Sequence, residues 1–190
     1  LQEEKRLTGK SKYVVLDQIE GQGFYKMPEP NDGDLFFDIE GFPESNKRNL
    51  EYLHGLYFKE KNKDVFKFFY VKDNSRDSEF QIFKELILFL KKLFNEYPDA
   101  YIYHYNEYET RALKELASEY SAVFPEGNNL VDDLLRKQKF VDLYRVVEHT
   151  LRTSEKDLSL KSLEKFYRKE REANIKTATD SIRLFDNWCS

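Results

Sequence analysis

Asp34-Leu-Phe-Phe-Asp-Ile-Glu40 is the stretch on which the fold turns. It is short, strongly apolar and closed by Gly41 and Pro43, a pattern that predicts a buried strand. Strand alternation puts Asp34, Phe36, Asp38 and Glu40 on one face and Leu35, Phe37 and Ile39 on the other. Asp38 and Glu40 are thus neighbours on an apolar strand. Two like charges there repel and lose hydration unless a cation sits between them. Hard divalent ions meet that need, and Mg²⁺ or Mn²⁺ prefers carboxylate oxygens. The same pair also fits a solvated strand end with two exposed acids.

Upstream, residues 1–33 read as a leader or linker, punctuated by Gly21, Gly23, Pro28, Pro30 and Gly33. Downstream, Leu50 to Lys59 and Val65 to Val71 are strand patterns joined by the polar turn Lys59-Glu-Lys-Asn-Lys-Asp64. Three strands in succession predict an antiparallel meander. A long helix follows, with Phe80, Phe83, Leu86, Ile87, Leu90 and Phe94 at helical spacing. Asp77 or Ser78 is its expected cap, and it ends before Pro98. Ala100 to His104 predicts a fourth strand and Glu107 to Glu119 a helix. The tail reads as helical over Val131 to Leu135, Phe140 to Leu151, Leu158 to Tyr167 and from Asp180 onward. This order predicts an α/β fold over residues 34–190, a mixed five-stranded sheet flanked by helices, its first three strands antiparallel.

Composition narrows the function classes. The 190 residues carry 31 Lys plus Arg against 35 Asp plus Glu, so 31 − 35 gives a formal charge of −4. That balance argues against a passive basic coat on nucleic acid, but not against an enzyme whose acids hold cations. With 13 Tyr and 16 Phe the chain is not disordered in composition. The lone Cys189 excludes a disulfide scaffold and a thiolate zinc site, and fits a reducing, cytoplasmic compartment. The longest apolar run, Leu86 to Leu90, is far short of the roughly 20 residues that span a bilayer, so no membrane partner is expected. The ends, Leu1 and Cys189-Ser190, read as cuts in a longer protein.

Three further acidic motifs follow in the chain. His104-Tyr-Asn-Glu-Tyr-Glu109 sits where a strand hands over to a helix, where α/β sites are assembled. Glu107 and Glu109 there also suit a helix N-terminus for dipole reasons alone. Asp142 lies in Phe140-Val-Asp-Leu-Tyr144, and Asp180 opens the last helical stretch, where an N-cap role is open to it. Tyr105 and Tyr108 suit base stacking or core packing. Lys161 and Lys165, one helical turn apart, suit phosphate contact or a solvated face.

Gly33-Asp-Leu-Phe-Phe-Asp-Ile-Glu-Gly41, Glu51-Tyr-Leu-His-Gly55, Tyr97-Pro-Asp-Ala-Tyr-Ile-Tyr-His-Tyr105, Val141-Asp-Leu-Tyr-Arg-Val-Val147 and Leu160-Lys-Ser-Leu-Glu-Lys-Phe-Tyr167 together resemble the YprB-type ribonuclease H-like domain. The version they resemble most is that of large bacterial RecB-like nucleases carrying a superfamily I helicase. The likeness covers almost the whole chain, and it implies an RNase H-like fold. That family is similar to the DEDD 3′–5′ exonucleases. The resemblance implies that Asp38, Glu40, Glu109 and Asp180 hold two Mg²⁺ or Mn²⁺ ions, with Asp142 just outside that set. It implies hydrolysis of a phosphodiester in single-stranded DNA or RNA, one ion activating water and the other the leaving oxygen. Other domains of a nuclease–helicase polypeptide would be its partners, and DNA repair or processing its setting.

Two departures stand out. Glu109 replaces the usual Asp, moving the carboxylate by about one methylene. Ile175-Lys-Thr-Ala-Thr179 lacks the His or Tyr that such enzymes place before the last Asp, with Lys176 as the available substitute. His54, His104 and His149 read as structural. The sequence therefore supports a metal-dependent nuclease and, as the alternative, a degenerate module that binds nucleic acid or docks neighbouring domains without cutting.

Overall fold

A computed structural model describes residues 1–44, 48–167 and 178–189. In chain order the elements are α1 (Gln2–Thr8), β1 (Tyr13–Val15), a 3-10 turn (Gly23–Lys26), β2 (Leu35–Phe42), β3 (Leu50–Glu60), β4 (Lys63–Tyr70) and α2 (Arg76–Glu96). They continue with β5 (Ile102–His104), α3 (Tyr108–Glu119), α4 (Pro125–Arg136), β6 (Phe140–Asp142), α5 (Leu143–Glu148), β7 (Leu151–Thr153), α6 (Leu160–Glu164) and α7 (Ala178–Cys189). The chain forms two compact units, Leu1–Glu29 with Asp142–Lys176 and Pro30–Val141 with Thr177–Ser190.

The first unit draws its two chain segments together through the antiparallel pair β1–β7, with Val14 opposite Arg152. Glu155 anchors it as a buried carboxylate that accepts from Lys5 at 2.5 Å, Ser11 at 2.5 Å and Lys165 at 2.7 Å. Residues read from sequence as a leader thus include a helix and a paired strand.

The second unit is the α/β layer expected from the sequence. Its sheet has the order β4-β3-β2-β5-β6, with β2–β3 and β3–β4 antiparallel and β2–β5 parallel. Leu35, Phe37 and Ile39 point into the core, where they join Phe83, Leu86, Ile87 and Leu90 of α2. α3 and α4 add Leu113, Leu116, Val131 and Leu134. The fifth strand falls where a helix was expected: Phe140 to Asp142 is extended, and only Leu143–Glu148 is helical. Main-chain pairing decides this, because the N–H of Ile102 donates to Lys139 O at 2.8 Å and seats the segment at the sheet edge. The cap of α2 also differs. Ser75, held extended at φ −89°, accepts from the N–H of Ser78, so the helix starts ahead of Asp77.

One buried carboxylate ties this unit together. Glu79 on α2 is fully buried and accepts from both guanidinium arms of Arg48 at 2.7 and 2.6 Å. Arg76 Nη1 at 3.0 Å, Tyr120 OH at 2.6 Å and the N–H of Glu51 at 2.7 Å complete its shell. Burial alone would raise its pKa, but Arg48, Tyr120 and the Glu51 N–H outweigh it and hold Glu79 below the usual carboxylate range. Truncating one partner of such a buried pair strands the other charges. Glu79→Ala is therefore expected to destabilise the protein by about 3–5 kcal/mol in urea unfolding, well beyond its loss of packing.

Candidate active site

β2 carries Asp38 and Glu40 on the face opposite the core residues Phe37 and Ile39. Asp38 lies opposite Gly55 of β3, and Glu40 opposite Leu53. The register then shifts between Glu40 and Gly41, because Gly41 pairs with Glu51 and leaves Tyr52 as an extra residue on β3. That bulge aims the Tyr52 hydroxyl at the site. It interacts with Glu40 and lies 2.6 Å from Ser181 Oγ on α7. The Tyr52 ring stacks on Phe185 of α7 with centroids 4.2 Å apart. Asp180 is on the same first turn of α7 as Ser181, with Arg183 Nη2 4.0 Å from its Oδ1.

The third acid comes from the turn between β5 and α3. Asn106 takes the left-handed conformation (φ 75°), which reverses the chain and starts α3 on Tyr108. Glu109 is buried, and its Oε2 has no hydrogen-bond partner among the described residues. The nearest cation-capable group is His104 Nδ1 at 3.5 Å, beyond hydrogen-bond range, while the same nitrogen lies 2.5 Å from Asn106 O. That contact to a carbonyl requires Nδ1 to carry the proton. His104, read from sequence as structural, thus lies beside the acid; the signal was its place in the same strand-to-helix motif as Glu109.

The three acids act on one another. Burial and then the charge of Glu109 raise the Asp38 pKa, against a lowering hydrogen bond from the Ile39 backbone. Burial and then the charge of Asp38 raise Glu40, against the Tyr52 hydroxyl. Among the described residues, no three His, Cys, Asp or Glu side chains form a group that could already hold a metal ion. The coupling is pairwise, Asp38 with Glu109 and Asp38 with Glu40. An unpartnered buried carboxylate oxygen, two acids with raised pKa and an all-oxygen donor set suit a hard divalent cation.

The remaining candidates are placed as follows. The Tyr108 hydroxyl faces inward, 3.1 Å from Glu51 Oε2 and 2.9 Å from Asn49 Nδ2. Gly41 permits this approach, since a Cβ there would fall 2.2 Å from the Tyr108 hydroxyl and 2.6 Å from Glu51 Oε2. Tyr105 is half-buried in the turn after β5. Asp142 caps α5 by accepting from the Tyr144 N–H at 2.9 Å. Lys161 is exposed on α6, and Lys165 follows α6 and pairs with Glu155, both in the first unit. Lys176 and its neighbours Ile175 and Thr177 lie outside the described residues.

Glu51 sets a pH dependence. Burial pushes its pKa up from 4.5 to about 7, against the Tyr108 hydroxyl and with help from the Glu79 charge. Between those two values the unfolded chain releases a proton that the folded chain keeps. Stability should therefore fall as pH rises from about 4.5 to about 7, and level off above. Glu51→Gln removes this slope and should stabilise the protein near pH 8 by up to about 3 kcal/mol, read by urea unfolding across that range.

No curated protein and no solved structure matches the chain. A family model of the RNase H superfamily matches residues 35–190, which include β2, the turn before Glu109 and the helix that carries Asp180. The chain belongs to the RNase H superfamily.

Proposed function

We propose that the domain is a metal-dependent nuclease that hydrolyses phosphodiesters in single-stranded nucleic acid in an exonuclease-like manner. The carrying observation is the buried, unpartnered Oε2 of Glu109 beside an Asp38 whose pKa that same acid raises. Asp38, Glu40, Glu109 and Asp180 are the residues we assign to hold Mg²⁺ or Mn²⁺, two ions by analogy with the DEDD exonucleases. When bound, the ions would supply Lewis-acid activation of water and charge neutralisation at the leaving oxygen. The chain's own contribution is positional. The Tyr52 hydroxyl steadies Glu40 and links it to Ser181, and the Asn106 turn with His104 fixes where Glu109 stands. On this reading the domain works in the cytoplasm, with the helicase or nuclease domains of a longer polypeptide as its partners. Among the described residues, no helix is long and apolar enough to cross a membrane.

A second reading, a module that binds nucleic acid without cutting, has one observation in its favour: no three of the described acids form a metal-ready group.

The two readings separate on one protein pair. If Asp38 is a ligand, Mn²⁺ raises the stability of the wild type by about 2.7 kcal/mol at a hundredfold excess over its dissociation constant. Asp38→Asn abolishes that shift together with Mn²⁺-dependent degradation of a labelled single strand. An equal metal response in both proteins, with no degradation by either, would establish the non-cutting module.

A further inference from the structure

Asp38 and Glu40 share their sheet face with aromatic rings that have no part in the acid cluster. Cross-strand pairing arranges this face in rows. Phe36, Tyr57 and Phe66 are opposite one another, then Asp38, Gly55 and Phe68, then Glu40, Leu53 and Tyr70. In the first row the rings touch in sequence, Phe36–Tyr57 at 5.9 Å and Tyr57–Phe66 at 4.9 Å between centroids. Tyr103 of β5 extends it, stacked on Phe36 at 5.3 Å. Four strands thus contribute one continuous aromatic row, one step along β2 from Asp38.

The rings differ in exposure: Tyr103 is buried and Tyr57 half-buried, while the others stand open. Phe36 is 46% exposed, Phe66 67% and Phe68 55%. The third row is different, because Leu53 and Tyr70 border a pocket lined by Leu184 and Trp188 of α7. Beside that pocket Tyr70 is still 65% exposed, so the open rings nearest Asp38 are Phe36, Phe66 and Phe68 of the first two rows. Gly55 sits in the middle of the second row and presents no side chain. A Cβ there would be 3.8 Å from Phe68 Cδ1 and Cε1, so the Phe68 ring lies beside the bare backbone of Gly55, between it and open solvent on the Asp38 row.

We propose that this face is a stacking platform for the bases of a single strand whose phosphate is delivered to Asp38. The proposal rests on the nuclease reading of the acids and deepens it. Three features favour nucleic acid over a protein partner. The exposed large side chains in the two rows are aromatic, and π-faces accept any base, whereas a protein interface core mixes in aliphatics. The platform and the acids occupy adjacent positions of one pleat, about 7 Å per two residues along the strand. Beyond the first row the β3–β4 turn carries exposed Lys59, Lys61 and Lys63 with Glu60 and Asp64, and the Asp64 Oδ1 accepts from the Tyr57 hydroxyl at 2.9 Å. The excess of cations there suits a phosphate backbone leaving the platform.

The test measures fluorescence anisotropy of labelled oligothymidylate and oligouridylate with the full chain in EDTA, where no cutting occurs. Phe66→Leu and Phe68→Leu keep an apolar side chain and remove the ring. Each should weaken binding at least fivefold, and Phe68→Trp should restore it. Leucine variants that bind like the wild type would overturn the platform, as would a wild type that binds neither oligomer. So would leucine variants that change only the molecular mass by light scattering, which would mark a face between proteins. Because this arm needs no metal, a wild type that binds through the rings but never cuts with Mn²⁺ would sink the nuclease reading and leave the platform standing. A wild type that cuts but binds without the rings would do the reverse.

Discussion

The fully buried carboxylate of Glu79 is the constraint on which the second unit depends. A charge in that position is tolerated only because five hydrogen bonds converge on it from Arg48, Arg76, Tyr120 and the Glu51 backbone. Those partners come from the segment before β3, the first turn of α2, the end of α3 and the start of β3. Satisfying one group therefore fixes where β3 begins. The start of β3 in turn sets the bulge opposite Glu40 and the depth of Glu51. Glu51 receives the Tyr108 hydroxyl, and the residue after Tyr108 is Glu109. A buried structural ion pair thus bears, through Glu51 and Tyr108, on where Glu109 stands.

The sheet was legible because its signals are local. Alternation in Asp34 to Glu40 and the aromatic runs of β3 and β4 each lie within one strand, and helical spacing in α2 spans many turns. β6 was not legible, because three residues carry too little pattern to outweigh an apolar run that reads equally well as helix. Its state is decided by pairing with β5, a contact that no local signal records. The same applies to the β1–β7 pair, whose members are more than a hundred residues apart.

The acids were legible by motif and only partly by physics. Asp38 and Glu40 follow from strand alternation alone. Glu109 needed a resemblance, and its burial and unpartnered oxygen emerge only when α3 packs. The Arg48–Glu79 pair spans 31 residues and Tyr52–Ser181 spans 129, so neither has a sequence signature. His104 is buried and bonded to the turn as a structural histidine would be, and its nearness to Glu109 depends on how that turn closes. The aromatic rows were visible as strand patterns, but which rings stay uncovered depends on packing from distant parts of the chain.

The chain leaves the second unit after β6, builds part of the first, and returns with α7. On a translating ribosome this order matters. Tyr52 emerges 129 residues before Ser181, a delay of roughly 6–26 seconds at about 5–20 residues per second. Throughout that interval the nascent sheet holds Asp38 and Glu40 without Asp180, and its Phe42 and Tyr52 rings without Phe185. The protein is thus made with an aromatic strip bare, and the docking of α7 that covers it also removes the nascent chain's exposure to aggregation and to chaperone capture.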